Sequence, residues 1–235
     1  MKQKKPISRN TQKILNAWRK HCMKEALYES IAEAVIDGAT SQVVSLVNKA
    51  VSEECPVDEI LNNALIAGMN EVGVLFKDGE MFVPEVLVSA KALQAGLEII
   101  RPALGAAGVK SAGRVLAVTV EGDLHDIGIK LVGMMLEGAG FEVFNIGVDK
   151  SAKEIVDKIK ELKPDILGMS AMLTTTMANM KEVVDLLKEE GIYDGLPIMI
   201  GGAPTSPMYA EKLGCRYSAD ASEAVTIAKQ LIGMA

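Results

Sequence analysis

The feature that most constrains the fold of this chain is a change in the spacing of its apolar residues near its middle. In the first half, apolar residues recur every three or four positions, as on amphipathic helices. Breaks at Gly38, Pro56 and Gly79 divide this half into four or five helices, and Pro84 stands where the first turn of a helix accepts proline. Such helices bury their apolar faces by packing on one another, so residues 25–108 are predicted to form an all-α helical bundle.

The second half alternates between short apolar runs and helical patterns. Nearly every residue of each run is apolar, as expected of parallel strands that helices cover on both faces. Residues 113–235 are therefore predicted to form an α/β domain with a doubly wound parallel sheet of the Rossmann or flavodoxin-like kind. A linker is predicted between the halves, from Arg101-Pro102 through Gly113. The predicted strands are 115–120, 143–146, 166–169, 198–200 and 216–217, and the predicted helices lie near 126–139, 151–162, 177–190, 205–213 and the C-terminus.

Charge is unevenly distributed along the chain. Residues 1–24 hold eight Lys or Arg and no acid, whereas the rest of the chain holds 17 basic and 31 acidic residues. Such a basic extension suits contact with an acidic partner or nucleic acid. A solvated extension that leads into the first helix is the favoured interpretation, because there is no second helix with which to build a DNA-reading unit. No nucleic-acid partner is therefore expected.

Composition excludes several classes of protein. The cysteines Cys22, Cys55 and Cys215 are odd in number and far apart, which supports neither a disulfide framework nor a zinc site. No uncharged apolar stretch approaches the roughly 18 residues of a membrane span. The basic N-terminus is not followed by the apolar stretch of a secretory signal. A cytoplasmic protein without a membrane partner is expected.

Three short motifs follow predicted strands at one edge of the predicted sheet. They are Asp123-Leu124-His125-Asp126-Ile127-Gly128, Ser170-Ala171-Met172 and Gly201-Gly202. Taken singly, the first is typical of a capped helix start and the last of a tight turn. Ligands of doubly wound sheets bind beyond the carboxyl ends of the strands, so the three motifs together favour a binding site at this edge.

The order and spacing of these motifs resemble the signature of proteins that bind cobalamin base-off with a histidine ligand. That signature is Asp-x-His-x-x-Gly, then Ser-x-Leu, then Gly-Gly, and Met172 in place of leucine is the departure from it. The resemblance implies that His125 is the lower axial ligand of the cobalt and that Asp123 holds the imidazole ring. It also implies that Thr176 holds the carboxylate, with Thr174 as an alternative.

The same resemblance assigns residues to the rest of the cofactor. Ser170 would hydrogen-bond the displaced dimethylbenzimidazole, and the glycines would let the backbone approach the ligand. The implied cofactor contacts of the α/β domain, besides Asp123 and His125, are Asp126, Ile127, Gly128, Ser170, Met172, Leu173, Thr174, Gly201 and Gly202.

One segment of the helical half resembles the cap of cobalamin-dependent methyl-transfer proteins. It reads Phe76-Lys77-Asp78-Gly79-Glu80-Met81-Phe82-Val83-Pro84-Glu85-Val86-Leu87. Matched position by position, Phe76 and Val83 would lie over the upper face of the corrin; the alternative is that both belong to the bundle core. With both halves considered, the chain resembles the corrinoid proteins of multi-component methyltransferase systems and the same pair of modules in methionine synthase.

This resemblance implies a methyl carrier that does not catalyse the reaction alone. A substrate-specific methyltransferase would methylate Co(I), and a second methyltransferase would move the methyl group from methyl-Co(III) to a thiol, a tetrahydropterin or a tetrahydrofolate. An ATP-dependent reductive activator would restore oxidised cobalt. The methyl donor stays open among methylamines, methanol, methoxyaromatics and betaines.

Three other functions use similar folds. A cobalamin-dependent light or ligand sensor shares both modules but normally adds a DNA-binding domain, for which the basic extension alone is available. A carbon-skeleton mutase subunit lacks the helical cap. A flavodoxin-like receiver needs a lysine after a later strand, and none follows at Ser170 or Gly201. The sensor is the main alternative.

Overall fold

The computed structural model describes residues 9–107 and 110–234, with residues 9–22 and Gly105 as backbone alone. The first half consists of α1 (Arg9–Ile36), α2 (Thr40–Ser52), α3 (Val57–Glu59), a π-helix (Ile60–Ile66), α4 (Ala67–Lys77) and α5 (Val83–Ala107). Because α3, the π-helix and α4 follow one another without a break, the described part of this half is a bundle of four helical rods. No helix in the described ranges is both long and apolar enough to cross a membrane.

Two boundaries differ from those expected. The linker predicted to begin at Arg101-Pro102 is wrong for residues 101–107, because α5 continues through Pro102 to Ala107. Pro102 is exposed, so water can satisfy the carbonyl group that the proline leaves unpaired one turn earlier, and alanines and a leucine after it favour the helix. At the other end, residues 1–8 of the basic extension lie outside the described residues. Since α1 begins at Arg9, the predicted division between residues 24 and 25 falls within one helix.

The second half alternates strands and helices close to the predicted positions. The largest difference is at α8, which begins three residues earlier than expected. The elements are β1 (Arg114–Thr119), α6 (Ile127–Gly138), β2 (Glu142–Asn145), α7 (Ala152–Leu162), β3 (Ile166–Ser170), α8 (Thr174–Glu189), β4 (Ile198–Gly201), α9 (Pro207–Leu213), β5 (Arg216–Tyr217) and α10 (Ala221–Leu231).

The strands form one parallel sheet in the order β2-β1-β3-β4-β5. Helices α6 and α10 pack on one face of the sheet, and α7, α8 and α9 pack on the other. After β1 the chain crosses to β2 on one side, whereas after β3 it crosses to β4 on the other. The loops after β1 and β3 therefore diverge, and a crevice between such loops is where ligands of this fold bind.

The bundle packs directly on α6 and α10. Met135 of α6 belongs to the same buried cluster as the bundle core. The Gln94 amide donates to the Glu137 carboxylate at 2.7 Å, and the Ser222 hydroxyl donates to the Gly73 carbonyl at 3.1 Å. The bundle is thus held against the α/β domain by both apolar packing and hydrogen bonds.

Gly138→Ala is expected to destabilise this junction. A methyl group at Gly138 would lie 2.2 Å from Met69 Cγ and 3.0 Å from Met69 Cβ, so α4 would have to shift. Overpacking of this kind costs about 1–3 kcal/mol. Gly133→Ala on the same helix is the matched control, because its methyl group would meet Val143 at an ordinary 3.5 Å. Urea unfolding measures both variants, and a Gly138→Ala protein as stable as the control would contradict the expected clash.

Candidate functional site

The loop after β1 is held in place by its own hydrogen bonds and by the loop after β2. The Thr119 hydroxyl donates to the His125 carbonyl at 3.1 Å. Asp149 fastens the loop from the neighbouring strand: its carboxylate accepts from the Gly122 amide at 2.8 Å, and its own amide donates to the Asp123 carbonyl at 3.1 Å. The backbone that carries the first motif is therefore positioned by contacts at both of its ends.

Asp123 is fully buried, and its carboxylate accepts hydrogen bonds on both oxygens. Oδ1 accepts from the His125 amide at 3.0 Å and lies 2.7 Å from His125 Nδ1. Oδ2 accepts from the Met172 amide at 2.6 Å and from the Thr176 hydroxyl at 2.8 Å. Burial raises the pKa of this carboxyl, but the hydrogen bonds from the two amides, the imidazole and the hydroxyl outweigh it and hold the pKa well below its ordinary value. Asp123 is therefore ionised at neutral pH.

The ionised carboxylate determines which nitrogen of His125 carries the proton. Because Asp123 can only accept, Nδ1 donates to it, and the lone pair of the neutral ring lies on Nε2. The imidazole is 56% exposed although its partner is buried. A buried carboxylate that fixes the tautomer of an exposed imidazole is the usual support of a histidine metal ligand.

A cavity of about 570 Å³ opens beside His125 at the carboxyl edge of the sheet. All three motifs contribute to its lining, and Phe76 reaches it from the end of α4. Asp123 and Thr176 are buried and contact one another beneath the lining. The motif residues that line it are Leu124, His125, Asp126, Ile127, Gly128, Ser170, Met172, Gly201 and Gly202.

Four of the predicted cofactor contacts, buried Asp123 among them, are not among the described residues that line this cavity. Leu173 and Thr174 stand at the start of α8, and of the two threonines considered as partners of Asp123 it is Thr176 that makes the contact. Val83 packs against the bundle core, as the alternative interpretation expected. Phe76 both packs against that core and lines the cavity, so the two interpretations of Phe76 are compatible.

Motif reasoning missed the part of the lining that comes from the sheet floor and from the loop after β5. Gly168 and Met199 form part of the floor, and residues 218–221 enter from the start of α10. The position of residues 218–221 could have been inferred, because they follow a predicted strand at the same edge of the sheet. Gly168 and Met199 lie inside strands and carry no motif.

Large apolar side chains surround the mouth of the cavity without being covered. Leu124 is 72% exposed, Ile127 66% and Met172 48%. Soluble folds seldom leave neighbouring apolar side chains uncovered unless a ligand or partner covers them. The site therefore has the character of a binding surface for a large, partly apolar ligand.

Comparison with known proteins identifies the family. Two family models, both described as a B12 binding domain, match residues 113–228 and 27–101. The chain is 45% identical to dimethylamine corrinoid protein 1 of Methanosarcina acetivorans, over 89% of this chain and 99% of that protein. The chain belongs to the B12-binding corrinoid proteins.

Two solved structures share the fold of this corrinoid protein. One is a cobalamin-binding protein from Desulfitobacterium hafniense, with a TM-score of 0.73 and 33% identity over 87% of this chain and 98% of that one. The other is a chain of the methanol:cobalamin methyltransferase complex MtaBC from Methanosarcina barkeri, with a TM-score of 0.81 and 32% identity over 89% and 81%. These matches confirm the predicted helical bundle followed by a doubly wound α/β domain.

Gly202→Ala is expected to destabilise this corrinoid protein, whereas Gly128→Ala is expected to leave its fold intact. Gly202 has a φ of +116°, and a methyl group there would lie 1.9 Å from the Ala171 carbonyl oxygen. Strained backbone and clash together cost about 3 kcal/mol or more. A methyl group on Gly128 meets no described atom within 4 Å. Thermal unfolding followed by circular dichroism compares the two, and similar losses in both would contradict this reading of the glycines.

Proposed function

We propose that this corrinoid protein carries methyl groups between two methyltransferases on a cobalamin whose cobalt takes His125 Nε2 as its lower axial ligand. The observation that carries the proposal is the pairing of buried, ionised Asp123 with the exposed imidazole of His125 at 2.7 Å. This pair leaves one imidazole nitrogen with a lone pair at the edge of a cavity that the motifs line. The protein would bind the base-off form, in which the cofactor's own base has left the metal.

The described residues fit such a cofactor. His125 would hold the metal, and the exposed side chains of Leu124, Ile127 and Met172 would contact the macrocycle. The free space next to Gly128 gives the ligand access to backbone. Ser170 and Gly201, farther along the cavity, would accept the nucleotide tail. When bound, the corrin cobalt supplies the nucleophile that accepts the methyl group and the leaving group that releases it.

The residues of the chain would hold and move a proton beside the bound cofactor. When the imidazole of His125 leaves the metal, Nε2 becomes free to take a proton. The resulting cation would lie against ionised Asp123, which Thr176 and the Met172 amide hold in place. Asp123 would therefore couple ligation to proton uptake at Nε2.

The helical bundle would act as a cap, with residues 25–108 as the cap domain and residues 113–235 as the cobalamin domain. Phe76 lines the cavity from the bundle side, so movement of the bundle would change the access of a partner enzyme to the bound cofactor. Closure would exclude water from the site between visits. The hydrogen bonds that Gln94, Ser222 and Lys229 donate across the junction are polar contacts that would break and re-form.

The proposed donor is a methylated amine. Six relatives named for dimethylamine are 42–45% identical over 88–89% of this chain. The proposed partners are a methylamine-specific methyltransferase, an acceptor methyltransferase that delivers to a thiol or a tetrahydropterin-type compound, and an ATP-dependent reductive activator. A role as a light or ligand sensor remains the alternative function.

Methylation of the bound cofactor tests the proposal. The purified protein is reconstituted with hydroxocobalamin, reduced, and mixed with dimethylamine and a dimethylamine methyltransferase from a Methanosarcina species. The visible spectrum is expected to change to that of methylcobalamin, and the change should be absent without enzyme or amine. Binding without methylation by this or any other methylamine enzyme would contradict the carrier role. Light-dependent binding of DNA in a gel shift would support the sensor instead.

A further inference from the structure

One flexible side chain, Met199, belongs to the part of the cavity lining that comes from the sheet. Gly168 of β3 and Met199 of β4 are register partners on neighbouring strands. A methyl group on Gly168 would lie 3.2 Å from Met199 Cε, so the thioether of Met199 lies across the space that the glycine leaves open. Both residues line the cavity. Met199 is therefore a flexible part of the cavity floor beside Gly168.

Behind Met199 lies the packed core between the sheet and its helices. Met199 is 2% exposed and belongs to a buried cluster with Leu136, Ile166 and Ile227. In front of it, the cavity walls include Val132 from α6. Met199 thus contacts both the cavity and this core, and methionine adapts its shape through three rotatable bonds at little cost.

We propose that Met199 is an adjustable floor that determines which lower bases the protein accepts on its corrinoid cofactor. The inference rests on the proposed function, because it assumes that the displaced base enters this cavity. A base attached to the corrin by its nucleotide tail must leave water, and the cavity offers it apolar residues of the sheet together with Ser170 and Ser218 in its lining. A planar base of any kind meets the same floor.

The expected consequence is that the protein binds cobamides with several chemical classes of lower base. Benzimidazoles, purines and phenols differ in size and in hydrogen-bonding groups, and a rigid apolar pocket separates ligands that differ by one methyl-sized group by about tenfold or more. Because Met199 can move toward or away from the base, cobamides that carry dimethylbenzimidazole, adenine or p-cresol are expected to bind with dissociation constants within about tenfold of one another. Replacing Met199 by a residue with fewer rotamers should widen the range of dissociation constants among these cobamides.

Equilibrium dialysis of these three cobamides against the full chain tests the inference. Met199→Ile keeps the apolar character and the approximate volume but fixes the side chain by branching at Cβ. The spread of dissociation constants is expected to grow at least about tenfold in this variant. Met180→Ile is the matched control, because Met180 of α8 is fully buried in the cluster on the other face of the sheet and is not among the residues that line the cavity. The control is expected to keep the spread of the wild type.

The outcomes separate the two proposals. A wild-type chain that retains none of the three cobamides contradicts the proposed function itself. Tight binding by the wild type with a spread already far above tenfold, or an equal spread in Met199→Ile and Met180→Ile, contradicts the role of Met199 alone. Gly168→Ala provides a second variant should Met199→Ile fail to fold, because its methyl group presses on Met199 Cε and is expected to widen the spread in the same way.

Discussion

His125→Ala is expected to abolish the nitrogen coupling in the electron paramagnetic resonance spectrum of the Co(II) form of the reconstituted protein. In the wild type, the coupling would come from Nε2 of an imidazole whose other nitrogen is held by Asp123 at 2.7 Å. Alanine offers no ligand, and the base-off cofactor would then have water or nothing at its lower face. Loss of a residue that supports a metal ligand lowers affinity by about 10- to 100-fold. Loss of the ligand itself should therefore lower the affinity for cobalamin by at least that factor.

His21→Ala is the natural control for this experiment, since His21 is the other histidine of the chain. Its spectrum is expected to match that of the wild type. Added imidazole should restore nitrogen coupling in His125→Ala, because the space that the ring vacates opens on the cavity. Coupling that persists unchanged in His125→Ala would mean that the ligand is another nitrogen, and the proposed lower ligand would be wrong.

The spacing of apolar residues predicted the helices and strands well, because this spacing depends directly on which side chains are buried. Strands such as β1 are buried on both faces and read as continuous apolar runs, while helices read as periodic ones. Pro102 misled the prediction because a proline inside a helix is costly on average, yet at this exposed position solvent can compensate. Rules based on local sequence fail where the surroundings of a residue determine the free-energy cost of placing it in a helix.

Contacts between distant segments could not be derived from spacing. Asp123 and Thr176 meet because β1 and β3 are neighbours in the sheet, and strand order is not encoded in the period of either strand. The resemblance to a known signature supplied this pair. Asp149 and Met199 carried no such signal, since one lies in a loop and the other inside an apolar strand. Their positions became evident only from hydrogen bonds and from close contacts.

Asp123→Asn is expected to lower the free energy of unfolding by about 2–3 kcal/mol at pH 7, which is the scale of hydrogen bonds to a buried charge. An asparagine side chain carries one oxygen and one NH₂ group. In one orientation its NH₂ group would face the Met172 amide and the Thr176 hydroxyl, and in the other it would face the two donors of His125. At least one buried donor would lose its acceptor. The imidazole would also lose the charge that orients it, so nitrogen coupling to Co(II) should weaken without disappearing.

The pH dependence of this difference follows from the lowered pKa of Asp123. In the unfolded chain an aspartate titrates near pH 4, whereas in the folded protein its pKa lies well below the ordinary value. A depressed folded pKa contributes stability that is fully present above the unfolded pKa and is lost as pH falls through the folded pKa. The contribution of the Asp123 charge to the gap between wild type and Asp123→Asn should therefore be fully present at pH 7 and at pH 5 and shrink below about pH 4.

Urea unfolding at pH 7, 5 and 3 measures this gap, with Asp126→Asn as the control. Asp126 lies in the same loop and pairs with Lys130 on the surface, where solvent screens the pair, so its substitution should change stability little at any pH. A gap for Asp123→Asn that stays constant down to pH 3 would mean that hydrogen-bond geometry, and not the charge, stabilises the loop. Charge is what His125 needs when it takes up a proton, so that result would also remove the coupling between ligation and protonation that the proposed carrier uses.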